Sequence, residues 1–362
     1  MKGLPLAALM SLLVAVQAAP RGQGEIGMRS KGLTEVEGLT VGQFTLTGRP
    51  TGCTVVLVEG SGAVGGVSQR GAAPGTRETD LLNPLNLVDK VNAIVLAGGS
   101  AFGLAAADGV STYLEEHKTG WSVGSLGVVP IVPAAILFDL GFGGDPKIRP
   151  TADCGYRAAQ AATSGAVEEG NIGAGAGATV GKVAGSERSM KGGAGSAAIR
   201  LPNGLIVAAL AVVNAVGDVI DPMTGQVVAG VRTPDGKHLA DARKLLRDGS
   251  LLKATAPRAA ENTTLVIVAT NARLTKVEVS RVALMADDGI ARAVSPAHTI
   301  GDGDTVFALA TGRWTGQVDA SIVGALGADV VAEAIVRGAA RATTLGGLPS
   351  ARELGTVPPR IN

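Results

Sequence analysis

Asn262-Thr263-Thr264 stands directly before Leu265-Val266-Ile267-Val268-Ala269-Thr270, a short polar step that leads into an apolar, β-branched run. If the peptide bond before Thr263 is cut, that residue carries a hydroxyl nucleophile and a free amine on one backbone unit. An α-amine titrates at about 7.7–8.0, so near neutrality much of it can accept the hydroxyl proton. Read alone, these residues are more often a loop entering a strand, or an Asn-x-Thr glycosylation acceptor. The rest of the chain has to decide.

Other chemistry-bearing stretches are glycine-rich. Ala97-Gly98-Gly99-Ser100-Ala101-Phe102-Gly103 follows an apolar strand and opens a helical pattern reaching about Glu116. A nucleophile elbow requires glycine two places after the serine, where Phe102 stands. The glycines therefore read as close packing of strand and helix. Glu169 to Lys182 contains Gly173-x-Gly175-x-x-Ala178 and ends on Lys182, yet Val183 occupies the Ser/Thr place of a phosphate loop. The acidic Glu168-Glu169-Gly170 before it makes a poor buried strand, which weakens the dinucleotide reading. Gly301-Asp302-Gly303-Asp304 offers two carboxylates in an ordinary Asp-Gly turn pattern, with no third ligand at calcium-loop spacing.

Composition removes several classes. The 362 residues are 46% hydrophobic and 17% charged with a net charge of +1, enough to bury a large core and without the footprint of a nucleic-acid binder. Aromatic residues make up only 2%, which disfavours base-stacking platforms. His117, His238 and His298 are scattered and lack a metal-ligand pattern, so a zinc hydrolase or Ser-His-Asp enzyme is hard to build. No metal or organic cofactor is implied. Cys53 and Cys154 could pair, but no spacing argues for it.

The elements that must position these groups are legible. Residues 53–58, 93–96, 264–269 and 305–310 read as buried strands. Pro202-Asn203-Gly204 joins Ala197–Leu201 to the apolar Leu205–Val213 as a hairpin that delivers Asn214 at its end. Residues 152–166 read as a small-residue helix and 320–342 as a final one. Thr275-Lys276-Val277-Glu278 is a capping box opening a helix to about Ala286, with Val279, Val282, Ala283 and Ala286 on one face. Arg70 to Asp80 is a long loop, and 221–260 an exposed polar segment that would give slack to a chain cut just beyond it. Hairpins mixed with helices, without a strict βαβ repeat, favour mixed sheets layered under helices.

Lys2, the apolar stretch Leu6 to Val16 and the small-residue exit Val16-Gln17-Ala18, with Ala19-Pro20 beyond, form the pattern of a secretory signal peptide cleaved near Ala18. The expectation is a signal peptide over 1–18, a periplasmic or secreted mature protein with a single catalytic domain over 19–362, and no membrane association after signal removal.

Pro74 to Asp80, Ala97 to Gly109, Glu169 to Lys182, Lys191 to Ser196, Asn214 to Asp218, Asn262 to Thr270 and Asp302 to Asp304, in that order, resemble the autoprocessing aminopeptidases and amidases of the DmpA and β-peptidyl aminopeptidase type. The nylon-oligomer (6-aminohexanoate oligomer) hydrolases are the nearest variant. The resemblance runs from about residue 33 to about 345. It implies an α/β/β/α sandwich, self-cleavage between Asn262 and Thr263 into a long chain over 19–262 and a short chain over 263–362, and a homo-oligomer, commonly a tetramer.

It also implies roles. Thr263 matches the nucleophile, Asn214 the donor to the oxyanion, and Lys182 the lysine near the nucleophile in the nylon-hydrolase variant. Asp302 and Asp304 match an acidic pair suited to hold the ammonium of Thr263 or of a substrate. The β-peptidyl aminopeptidase pattern has serine and glutamate at that pair, and Phe138 stands where some members carry tyrosine. The implied reaction is hydrolysis of short-peptide amides through a threonine acyl-enzyme, or of ω-amino-acid oligomers. An ornithine acetyltransferase is disfavoured by the signal peptide and by the sequence around Thr263. An uncleaved periplasmic ligand-binding protein is the alternative of another class.

Overall fold

The computed structural model describes residues 30–253 and 262–361; the expected signal peptide and the end of the 221–260 segment lie outside them. The strands of the two principal sheets are, in chain order, β1 (Leu39–Thr45), β2 (Gly52–Val58), β3 (Ala63–Gln69), β4 (Thr76–Arg77), β5 (Lys90–Val91) and β6 (Ala93–Ala97). They continue with β7 (Ala134–Ile136), β8 (Ala194–Arg200), β9 (Ile206–Asn214), β10 (Thr263–Thr270) and β11 (Thr305–Ala310). The first sheet has the order β1-β2-β6-β7-β4, the second β8-β9-β10-β11-β3-β5. The principal helices are α1 (Ala106–Glu116), α2 (Ala152–Gln160), α3 (Lys276–Ala286) and α4 (Ala320–Arg341).

Strand alternation sorts the side chains into three cores. Leu265, Ile267 and Ala269 of β10 join Leu210 and Val212 of β9 and Ile94 and Leu96 of β6 between the two sheets. Val266 and Val268 face the other way, onto Val279, Val282 and Ala283 of α3 and Val331 and Ile335 of α4. Val55, Val95 and Ala97 pack outward on Val110 and Leu114 of α1 and Ala158 of α2. Because successive strand residues point to opposite faces, a strand apolar throughout must be covered on both. The result is the expected α/β/β/α sandwich.

Local signals act where the sequence places them. The Asn203 side chain accepts the Leu205 N–H at 3.1 Å and Gly204 takes φ +86°, closing the β8–β9 hairpin. The Thr275–Glu278 capping box is formed, and α3 ends at Ala286 with the four expected residues buried. α1 and α2 approach closely because a Cβ on Gly109 would meet the Ala152 carbonyl at 1.8 Å. Cys53 and Cys154, which no spacing pairs, form a disulfide across 6.1 Å between Cα atoms, tying β2 to α2.

Two expectations need correction. The helix read over 152–166 stops at Gln160, because Thr163 exchanges two backbone hydrogen bonds with Val41, at 3.0 and 3.1 Å, and is drawn to the sheet edge. The segment from 221 is only partly exposed: Val227–Ala229 is a strand, and Val231 and Ala242 are buried. Apolar residues spaced between polar ones are enough to dock it.

Candidate active site

Thr263 is the first residue of β10 and only 3% exposed. Its hydroxyl donates to the carbonyl of Asn262. The same carbonyl accepts the Gly303 N–H at 2.8 Å, in a parallel bridge that sets Asn262 beside Asp302. A Cβ on Gly303 would lie 2.9 Å from Thr263 Oγ1 and 2.9 Å from the Ala73 carbonyl, so the position leaves no room for a side chain. The Arg70–Asp80 loop contributes that wall, with Ala73 N–H donating to the Asp302 carbonyl at 2.9 Å.

Asn214, the last residue of β9, is the cross-strand partner of Thr263. Its Oδ1 accepts from Thr179 N–H and from the Lys182 ammonium, at 3.0 Å each. Lys182 also donates to the Asn214 carbonyl at 3.0 Å. Both donors can be met only by the amide oxygen, which fixes the amide orientation and leaves Nδ2 as the donor end. One Nδ2–H goes to the Phe138 carbonyl at 3.0 Å. Phe138, noted for its missing hydroxyl, therefore contributes its backbone. The glycine run 173–181, which fails as a nucleotide loop, delivers Thr179 and Lys182.

The acidic pair is divided between different partners. Asp304 Oδ1 accepts the Thr264 N–H at 2.6 Å, and Oδ2 accepts the His298 N–H at 3.1 Å. Asp302 Oδ2 accepts the Thr299 N–H at 2.7 Å. Burial, then the neighbouring charge of Asp304, pushes the Asp302 carboxyl above the usual carboxylate range, although its bonds to Thr299 and the Lys182 charge oppose this. Site residues Thr263, Asn214, Lys182, Asp302 and Asp304 are thus brought into one cluster, with Asn262 at its centre.

His298, one of three scattered histidines in the sequence, lies in this cluster as well. Its Nδ1 is 2.9 Å from Asp304 Oδ2 and its Nε2 3.6 Å from Asp287 Oδ1. Gly303, Thr179, His298 and Asp287 are not singled out by residue type or spacing. The one hint is position: His298 precedes the acidic pair and Gly303 separates its two members on the turn into β11. Among the described residues no group of His, Cys, Asp and Glu could hold a metal ion.

The arrangement joins a strand-borne hydroxyl, a carbonyl polarised by a backbone N–H and an amide donor clamped by lysine, which is the equipment of acyl transfer. Residues 31–352 match the description peptidase family S58. The chain belongs to peptidase family S58. This S58 chain is 42% identical to an uncharacterized aminopeptidase of Mycobacterium tuberculosis over 89% of its own length and 97% of that protein. It is 29% identical to the 6-aminohexanoate-oligomer endohydrolase of Paenarthrobacter ureafaciens, over 83% of each chain. Two solved structures share its fold. A Burkholderia sp. beta-aminopeptidase superposes with a TM-score of 0.66 at 21% identity, covering 92% of this chain and 95% of that one. The L-aminopeptidase D-Ala-esterase/amidase of Ochrobactrum anthropi, described as a variant of the Ntn hydrolase fold, does so at 0.64 and 20%, covering 91% and 95%. The S58 chain is accordingly an amide-bond hydrolase with the N-terminal-nucleophile fold.

Proposed function

We propose that the protein cuts itself between Asn262 and Thr263 and then hydrolyses amide bonds of short peptides with Thr263 as nucleophile. The observation that carries this reading is the Thr263 hydroxyl lying against the Asn262 carbonyl while Gly303 N–H donates to that oxygen at 2.8 Å. Thr263 Oγ1 attacks the Asn262 carbonyl carbon, and Gly303 N–H stabilises the oxyanion. The C–N bond breaks, Thr263 nitrogen takes a proton, and an ester joins Asn262 to the threonine oxygen. Water cleaves the ester, leaving a carboxylate on Asn262 and a free amine and hydroxyl on Thr263.

The first attack precedes the amine, so another group must relay its proton. Asp302 is favoured among Lys182, Asp302 and Asp304, because its backbone bridges that of Asn262 and burial pushes its carboxyl above the usual carboxylate range. In turnover the Thr263 amine is the base, Asn214 Nδ2 the oxyanion donor, and the acidic pair the counter-charge for ammonium. Hydrolysis of ω-amino-acid oligomers is the second reading, supported by likeness to the P. ureafaciens endohydrolase. The disulfide supports export to an oxidising compartment, periplasmic or extracellular. Exposed Trp121, Val123, Leu126 and Val129 on one hairpin support assembly into a homo-oligomer.

Intact-mass measurement of the purified mature protein beside Thr263→Ala tests the reading. Two masses for wild type, one matching 263–362, and one uncut chain for the variant are expected. A single persistent wild-type mass without turnover of peptide amides would instead favour a binding protein.

A further inference from the structure

The chain Ser68–Asp287–His298–Asp304–Thr264 runs through the base of the second sheet to the residue after Thr263, and the chemistry above makes no use of its middle. Ser68 Oγ donates to Asp287 Oδ2 at 2.6 Å. Asp287 Oδ1 faces His298 Nε2 at 3.6 Å, and His298 Nδ1 faces Asp304 Oδ2 at 2.9 Å. Asp304 closes the series on the Thr264 N–H at 2.6 Å. The carboxylates are buried and the imidazole is 17% exposed. His298 adopts φ +55°, a left-handed conformation uncommon outside glycine, and its ring lies between the two acids.

A neutral imidazole has one N–H. With a carboxylate oxygen at each ring nitrogen, its bare nitrogen would present a lone pair to an anion. The doubly protonated ring turns a positive N–H toward each carboxylate and neutralises one of the two charges. The charged groups facing it are Asp304 on the approach to β11, Asp287 at the end of α3, and Arg70 after β3, whose Nε is 3.6 Å from Asp287 Oδ2. Burial lowers the imidazole's affinity for the proton, but hydrogen bonding to Asp304 and the charges of Asp304 and Asp287 outweigh it, against Arg70, and the net shift is upward.

We infer that His298 is a positioning residue that, as an imidazolium, pairs with Asp304 and holds its Oδ1 on the Thr264 N–H, so that β10 starts in the register aiming the Thr263 hydroxyl at the Asn262 carbonyl. The ring transfers no proton to substrate; it holds the anion that holds the nucleophile's strand. With the imidazolium deprotonated, Asp304 loses its counter-charge, and both self-cleavage and turnover decline. The kinetic consequence rests on Thr263 being the nucleophile, but the charge state of the ring does not.

The chain has 3 histidines, and His117 and His238 are exposed, which makes a direct titration by long-range ¹H–¹⁵N NMR feasible. His298, assigned by the signal missing from His298→Asn, is expected to remain protonated on both nitrogens at pH 7 and to lose its proton only above it. A neutral His298 ring at pH 7 would overturn the inference. In a second arm, Asp287→Asn removes the far carboxylate while leaving the Thr263 cluster in place. It is expected to move the alkaline limb of kcat for a peptide amide to lower pH by about one unit, with the acid limb unmoved. A ring that merely fills space would leave both limbs where they are. His298→Asn, which suits the positive φ, is expected to lower the self-cut fraction seen by intact mass and to abolish the alkaline limb. An uncut wild-type chain would defeat the nucleophile reading alone, because the NMR titration decides the imidazolium independently.

Discussion

Lys182 reaches both oxygens of Asn214, the backbone carbonyl and the side-chain Oδ1, at 3.0 Å each. In the proposed mechanism the lysine acts on the oxyanion through asparagine, by denying the amide its flipped orientation. Lys182→Ala is expected to lower kcat for a short-peptide amide by roughly 10²-fold, the scale of losing one oxyanion donor, with a smaller change in KM. Asn214→Ala should cost at least as much, and the double variant little more than Asn214→Ala. Losses that multiply in the double variant would show that lysine acts separately.

The proposed self-cleavage needs Gly303 for space as well as for its N–H. With a Cβ only 2.9 Å from Thr263 Oγ1, Gly303→Ala must displace the hydroxyl or the loop carrying Ala73. The expected product is a folded chain that stays uncut at Asn262–Thr263, detected as one mass with near-native circular dichroism. Normal processing of this variant would show that the approach of Gly303 to Thr263 is not required.

The elements around the site were legible where one local interaction decides them. The β-branched run behind Thr263 gave its strand, Asn203-Gly204 its turn, and Thr275 with Glu278 its cap, all within a few residues of sequence. Small-residue helix propensity overran Gln160 because nothing local announces that Thr163 pairs with Val41. The Cys53–Cys154 link, 101 residues apart in sequence, depends on α2 lying across β2. His298 stayed unread for the same reason: its partner Asp287 arrives from another element and Ser68 from a distant strand. The roles of Thr263, Asn214, Lys182, Asp302 and Asp304 came from family resemblance, since a Thr before a strand or an Asp-Gly pair is common by itself.

Lys191 gives the protein a stability that depends on pH. It is fully buried, donating to the carbonyls of Ala176 and Ala178 at 3.0 and 2.6 Å, with its ammonium 4.8 Å from the Phe142 ring centre. Burial lowers its pKa from 10.5 to about 7, with the Asp139 charge opposing and the Lys182 charge assisting. Between those values the unfolded chain binds more protons than the folded one, so stability falls as pH drops through the window, by at most about 1.4 kcal/mol per unit. Thermal unfolding of wild type from pH 10 to pH 7 should show Tm declining. Lys191→Met should flatten the profile, being less stable than wild type at pH 10 for want of two hydrogen bonds and closer to it at pH 7. Parallel profiles would mean that Lys191 is not the group responsible.

The Cys53–Cys154 disulfide lies on the helix side of the first sheet, whereas Thr263 opens a strand of the second. The bond closes a long loop, so its main effect is to restrict the unfolded chain, and removing such a link typically costs about 2–5 kcal/mol. A Cys53→Ser, Cys154→Ser double variant, or wild type under dithiothreitol, should unfold several degrees lower while retaining the cut at Asn262–Thr263. The two readouts separate because the proposed cleavage would need only the local register of β9, β10 and the 302–304 turn, whereas Tm reports the whole sandwich. If the reduced protein kept its Tm but lost processing, the disulfide would be acting on the site through β2 and its neighbour Gly173, where a Cβ would lie 2.9 Å from the Cys53 carbonyl, and the glycine run would be the route.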